Sequence, residues 1–219
     1  MKSYHLKLEL LSPALTGSGE GSGAIIDSDV VFDDIGIPYI PAKRIKGCLL
    51  DSINEIKDMF NLAKIDFDLP ISDIFGKIGS KYAAPFYFSD LMIENYTENR
   101  AWLEYFLNDR KYQTIISKDS ILETFTEIRQ QTRIDKADGV AVDGSLRTSR
   151  IIKKGHVFIG EVMIENPNQK LLQTLAFACL NLRRFGTSRN RGLGEIQCKL
   201  MDGNTEISVH KRLEELCTN

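Results

Sequence analysis

The chain has 219 residues, 42% of them hydrophobic, and a net charge of −2 from 28 basic and 30 acidic side chains. That apolar share supports a packed core and excludes a disordered or low-complexity chain. The near-neutral balance excludes a histone-like polycation, so any nucleic-acid surface has to be local.

Leu6, Leu8 and Leu10 alternate with His5, Lys7 and Glu9, the period-two pattern of a half-buried strand. Thr16-Gly17-Ser18-Gly19-Glu20-Gly21-Ser22-Gly23 follows, with glycine at every second position. No Gly-Lys-Ser/Thr follows, so this is not a Walker loop, and Ser22 stands where a dinucleotide fingerprint needs its third glycine. The reading preferred over a flexible linker is a loop that hugs a ligand backbone through Gly17, Ser18, Gly19 and Gly21. Residues 24–32 look strand-like and carry Asp27 and Asp29; prolines at 38 and 41 keep the next stretch extended. Ile45, Leu49, Ile53, Ile56 and Phe60 then fall on one apolar stripe of a helix. Lys43, Arg44 and Lys46 sit in its first turns, where cations oppose the macrodipole, which points to an anion at the helix start.

The middle of the chain reads less regularly. Ile74-Phe75-Gly76 suggests a loop, Phe86 to Asp90 a strand, and Ala101 to Leu107, with Trp102, Tyr105 and Phe106, a short helix or an irregular insertion. Residues 117–150 mix β-branched residues with turn signals at Ala137-Asp138-Gly139 and Asp143-Gly144, the pattern of a long hairpin. Arg129, Arg133, Arg147 and Arg150 decorate it and Ile134 stands as a candidate apolar tip; a solvated hairpin and a nucleic-acid contact fit equally at this stage. His156 to Ile164 is a strand, Leu171, Leu175, Ala178 or Cys179, and Leu182 mark a second amphipathic helix, and Ile196 to Leu200 a last strand. The tail from Leu213 is expected to be peripheral.

Between the second helix and the last strand lies the densest motif, Gly186-Thr187-Ser188-Arg189-Asn190-Arg191-Gly192-Leu193-Gly194-Glu195. A helix C-cap followed by a tight turn explains one glycine; three glycines with Arg183, Arg184, Arg189 and Arg191 suit an anion-binding loop better. Ser188 and Asn190 add neutral donors. Charge is segregated to match: residues 35–50 and 166–194 contain no acid. Two such segments on an acidic protein read either as one assembled groove or as two ordinary solvated faces. Cys48, Cys179, Cys198 and Cys217 have no CxxC spacing and the three histidines are scattered, which argues against zinc. No signal peptide or apolar run of ~18 residues is present, so the expectation is a cytoplasmic protein with no membrane partner.

The order strand, helix, strands and hairpins, helix, strand matches an α+β chain with a ferredoxin-like (RRM-like) βαββαβ core and insertions. Several segments, taken in order, resemble the CRISPR-associated RAMP superfamily, and within it a backbone subunit of type III (Csm/Cmr-like) effector complexes. They are Ile26 to Val31, Gly36-Ile37-Pro38-Tyr39-Ile40-Pro41-Ala42-Lys43-Arg44-Ile45-Lys46-Gly47, Ile74-Phe75-Gly76 with Phe88-Ser89-Asp90, and Thr132 to Arg147. The glycine–arginine loop completes the set. Cys48-Leu49-Leu50, where many relatives place a basic residue, and Ser149-Arg150, where relatives often have an acid, depart from the pattern.

The resemblance implies one domain over 1–219, with an inserted lid region at about 61–115 and a thumb hairpin at about 117–150 that kinks a guide–target duplex. It implies a CRISPR guide RNA, a complementary target RNA and other effector subunits, further RAMP proteins among them, as partners. Lys43, Arg44, Lys46, Arg133, Ile134, Arg147, Arg183, Arg184, Ser188, Arg189, Asn190 and Arg191 become RNA contacts. Asp27 matches the position of a carboxylate that promotes target-RNA cleavage with a divalent ion, Mg2+ or Mn2+; Asp29 and Asp33 are the secondary candidates. RNA carries its own 2′-hydroxyl nucleophile, so one carboxylate or metal-bound base suffices once the strand is aligned. A turn-capping role for Asp27 is the plain alternative. At the level of function the alternatives are a cleavage-silent RNA-binding subunit of the same complex, a metal-independent endoribonuclease acting on guide precursors, and a simple interaction module.

Overall fold

The computed structural model describes residues 1–17, 26–76 and 86–218. Strand β1 (Lys2–Leu10) buries Tyr4, Leu6, Leu8 and Leu10 and turns the intervening residues outward, as its alternation predicts. The short β2 (Tyr39–Ile40) leads through Pro41 into α1 (Ala42–Leu62), whose stripe Ile45, Leu49, Ile53, Ile56 and Phe60 is buried throughout. Helix α1 has no acid in its first turn and no side-chain cap of its own. Instead the Ala42 N–H donates to the Asp90 carboxylate at 2.7 Å. An anion does sit at this helix start, therefore, and the chain supplies it from far along the sequence.

Next come α2 (Ile71–Phe75), β3 (Phe86–Phe88), β4 (Leu91–Ile93) and α3 (Tyr96–Asn108). The expected loop at 74–76 is thus the end of a short helix that stops at Gly76. The stretch left open between helix and irregular insertion is helical. It is held down by Arg100, which pairs with Asp33 at 3.1 Å, Asp34 at 2.9 Å and Glu104 at 2.7 Å.

The expected long hairpin is corrected at its start. Ser117 and Ser120 form a reciprocal capping box that opens α4 (Lys118–Phe125), with Ile121 and Leu122 buried. Only then do β5 (Thr126–Gln131) and β6 (Arg147–Ile152) pair, as a separate two-stranded ribbon. Residues 24–32 are corrected too: over the described part, 26–32, no strand forms, and the bridges between described residues are single ones, Ser28 with Ser149 and Phe32 with Pro38. Its aspartates bond to nearby backbone instead of leaving a regular ladder.

Strand β7 (Val157–Ile164), α5 (Gln169–Asn181), β8 (Ile196–Asp202), β9 (Thr205–Glu206) and α6 (His210–Thr218) complete the order. The main sheet runs β2-β4-β7-β1-β8-β9, with β3 also beside β7, and every pair is antiparallel. Helices α1 and α5 are tied by the Ser52 hydroxyl, which donates to the Ala178 carbonyl at 2.8 Å. Their apolar faces share one core with the buried side of β1, and Phe60, Phe67 and Phe177 meet there edge to face. The result is a mixed α+β fold on an antiparallel sheet, consistent with a ferredoxin-like arrangement. Among the described residues no helix is long and apolar enough to cross a membrane.

Candidate nucleic-acid interface

The glycine–arginine loop is pinned by backbone on both sides. Phe185 N–H donates to the Gly194 carbonyl at 2.7 Å, Thr187 N–H to Leu15 at 2.9 Å, and Gly194 N–H to Pro13 at 2.8 Å. Such closeness needs glycine: at Gly186 (φ 88°) a Cβ would collide with the Leu15 carbonyl oxygen, and at Gly194 (φ 75°) with that of Phe185. We expect Gly194→Ala to lower the midpoint of thermal unfolding by at least about 5 °C, because strain and clash together cost about 2 kcal/mol or more. An unchanged midpoint in a calorimetric scan would show that the loop can re-form around a side chain.

Held this way, the loop presents its arginines to two clefts. The first, of about 550 Å³, is lined by Arg44, Cys48 and Asp51 of α1 and by Arg183, Arg184 and Arg189. The two acid-free segments therefore meet. Helical phase decides which of the α1 cations takes part: residues 44, 48, 51 and 55 share the cleft-facing stripe. Arg44 also reaches Gly17, its guanidinium 3.6 Å from where a Cβ there would stand. Lys46 lies on another face, over the Phe88 ring at 5.9 Å, and exposed Lys43 does not line the cleft. Arg184 donates to the Arg189 carbonyl, which stiffens the turn. Burial pushes the Cys48 thiol up, so it stays neutral beside these cations.

The second cleft, of about 740 Å³, lies between the loop and the ribbon and is lined by Gln131, Arg133, Ser145, Arg147 and Arg191 among others. Arg191 donates to the Gln131 side chain and Arg129 to the Arg191 carbonyl, each at 3.4 Å. Neighbouring arginines of one short 3-10 turn, Arg189–Arg191, thus serve different clefts. Ser188 opens that turn in the left-handed region, its carbonyl accepting the Arg191 N–H at 2.9 Å. Beyond the ribbon, Ser145 ties Thr132, Arg133 and Val142 together, and Ile134, 52% exposed, stands free of the core.

The carboxylates separate by burial. Asp29 is buried, bonds the Val30 N–H at 2.8 Å and lies 3.7 Å from Arg150. Asp33 accepts from the N–H groups of Ile35 and Ile37, the Tyr96 hydroxyl and Arg100. Asp33 is thus taken up by the fold, whereas Asp29 is 2% exposed and keeps one buried oxygen without a hydrogen-bond partner among the described residues. Asp27 is the exposed one, with 43% of its side chain open. It bonds Thr148 through backbone and side chain, at 2.9 and 2.7 Å, and stands 3.7 Å from Arg147 of the second cleft. Among the described residues no three His, Cys, Asp or Glu side chains gather as a metal site. A divalent ion at Asp27 would take one protein ligand and draw the rest from water and phosphate oxygens, a mode that suits Mg2+. Ser18, Gly19 and Gly21 lie outside the described residues, as does the side chain of Asn190.

Gln131 and Thr148 belong to the architecture of this surface and left no signal in the sequence, whereas Asp90 and Ser145 stand in the motifs Phe88-Ser89-Asp90 and Gly144-Ser145-Leu146-Arg147 without a role assigned to them there.

A family model described as the RAMP superfamily matches residues 7–197. Among solved structures, a chain of the type III-B Cmr-beta complex bound to cognate target RNA, determined by cryo-EM, superposes with a TM-score of 0.66 at 13% identity. The match covers 91% of this chain and 97% of that one. A chain of the same complex in its apo state gives 0.63 at 12% identity over the same shares. No curated protein matches the sequence.

Proposed function

The chain belongs to the RAMP superfamily, and from this premise we propose that it is a guide-RNA-binding backbone subunit of a type III CRISPR effector complex, which cuts complementary target RNA at regular intervals with a divalent ion. The observation that carries the proposal is the continuity of the surface. Arg44, Arg184 and Arg189 lead through a single turn to Arg191 and Arg147, and Arg147 adjoins the one exposed carboxylate of the three candidates. A row of guanidinium groups around a glycine-rich turn suits a sugar–phosphate backbone and reads no base. Sequence recognition is then left to pairing with the guide. The ribbon of β5 and β6 acts as the thumb, with Ile134 near its outer end to part stacked bases. Asp27 works where the strand is splayed, accepting the 2′-hydroxyl proton as that oxygen attacks its own phosphorus; the bond from phosphorus to the 5′-oxygen breaks, leaving a 2′,3′-cyclic phosphate and a 5′-hydroxyl that takes its proton from water. The divalent ion supplies charge neutralisation at that phosphate.

A cleavage-silent subunit of the same complex is the second reading. It draws on the fact that Asp27 is already engaged by Thr148 and lies beside Arg147. The test is to purify the chain with its native assembly, size any bound RNA, and add labelled complementary RNA with and without magnesium. RNA of uniform length and an evenly spaced, magnesium-dependent ladder are expected. Bound RNA with no ladder selects the silent subunit, and an assembly free of RNA overturns both readings.

A further inference from the structure

Helix α3 carries two opposite stripes. Tyr96, Arg100, Leu103 and Leu107 share one face at helical spacing. Tyr96, Leu103 and Leu107 pack on the core, while Arg100 takes up Asp33, Asp34 and Glu104. Two positions further on, Glu98, Trp102, Tyr105 and Asp109 repeat that spacing, roughly 200° round the helix, and so point outward. Trp102 is 58% exposed and Tyr105 54%. Their rings are nonetheless fixed from beneath. They meet edge to face at 6.3 Å, Trp102 stacks on Phe106 at 6.1 Å, and Phe106 meets Tyr112 at 5.0 Å. A ladder of four rings held in this way loses little freedom when something covers it.

Carboxylates stand at both ends of the ladder. Residues 96–109 carry Glu98, Glu104 and Asp109 against a single cation, Arg100, which is occupied by its own partners. Glu98 has no hydrogen bond or ion pair among the described residues and lies one turn before Trp102. Asp109 lies one turn after Tyr105 and accepts its hydroxyl at 3.2 Å. Arg110 and Lys111 come past the helix end, and Lys111 is turned onto the Tyr112 ring at 5.3 Å. A phosphodiester strand could stack on the rings, but its charge would meet acid at either end. A guanidinium is suited on both counts: its flat face lies on an indole and its N–H groups reach a carboxylate.

We infer that the outer stripe of α3 is a docking site for a partner protein that presents an arginine side chain, stacked on Trp102 and Tyr105 and hydrogen-bonded to Glu98 or Asp109. This goes beyond the RNA-binding reading, because it assigns a protein contact to a helix that lines neither arginine cleft. Its physical root is the division of labour within α3. The inner stripe alone attaches the helix, so the outer rings add nothing to folding and keep their apolar area for a partner.

Trp102 is the single tryptophan of the chain, so intrinsic fluorescence reports this face directly. The probe is an alanine-rich helical peptide with arginines four residues apart, added to the full-length chain; control peptides carry lysine or uncharged citrulline in their place. The arginine peptide should change Trp102 emission saturably, the lysine peptide should bind about threefold or more weakly, and the citrulline peptide should not bind. By anisotropy of a labelled peptide, Tyr105→Leu should weaken affinity about fivefold or more. Glu98→Gln combined with Asp109→Asn should flatten its salt dependence. Thermal midpoints should stay within about 2 °C of the parent, since the altered groups are at the surface. In the native assembly, hydroxyl-radical footprinting should find Trp102 and Tyr105 protected relative to the isolated chain. Equal binding of the citrulline peptide, or equal oxidation of Trp102 in chain and assembly, overturns the site. An emission change with oligouridine but not with peptide overturns it in favour of RNA, and one that grows with concentration of the chain alone overturns it in favour of a second copy. None of these results touches guide binding or cutting at the arginine clefts, which their own tests decide.

Discussion

Asp27→Asn is expected to abolish magnesium-dependent cutting of target RNA, by a factor of about 10² to 10⁴, while guide and target affinities stay within about twofold. The asparagine carbonyl can still accept the Thr148 N–H that Asp27 accepts at 2.7 Å, so the residue keeps its place on the β6 edge. What is lost is negative charge and basicity, the properties needed to take a proton from a 2′-hydroxyl or to attract a cation. The same change at Asp29 or Asp33 would not be a clean comparison, because both carboxylates hold backbone and arginine partners inside the fold. Retention of the ladder by the Asp27→Asn assembly would remove this carboxylate from the chemistry; a native assembly that never cuts would select the silent reading.

The second large effect is expected from Arg189→Ala combined with Arg191→Ala. The two residues sit in one 3-10 turn yet line different clefts, so the pair removes a cation from each. Guide affinity should fall about tenfold or more near 0.15 M salt, for any guide sequence. The slope of log affinity against log salt should shrink by about 1.4, because each single-strand phosphate that an arginine neutralises adds roughly 0.7 to it. Loop conformation should survive, since its closure runs through backbone bonds among Phe185, Gly194, Leu15 and Pro13. Anisotropy titrations at several salt concentrations measure both quantities. Equal affinity and equal slope would mean that RNA does not run along this turn.

The fold is legible in the sequence where the pattern is local and repeated. The β1 alternation and the α1 stripe from Ile45 to Phe60 appear where their periodicity places them, because the core lies on one side of each, and α5 appears where expected although Thr174 to Cys179 are buried all round. The region 117–150 is less legible. A hydroxyl capping box that starts a two-turn helix hides among β-branched residues typical of strands, so helix and ribbon together resemble one hairpin. The α1 start misleads in a different way. Its cations point correctly to a nearby anion, but spacing within the helix cannot reveal that Asp90 occupies the cap or that Lys46 turns toward Phe88.

The amino-acid order by itself determined the strands and helices of the core, the superfamily, and the glycine–arginine loop as the most informative surface element. These are properties of neighbours in the chain, set by side-chain period and by backbone freedom at glycine. Only the tertiary structure decided that Arg44, rather than Lys43 or Lys46, joins that loop. It also decided that Asp33 is taken up by Tyr96 and Arg100 and that Asp29 is buried beside Arg150, while Asp27 stays exposed. A carboxylate's exposure and charge environment depend on partners that chain separation conceals, and folding alone brings those partners together.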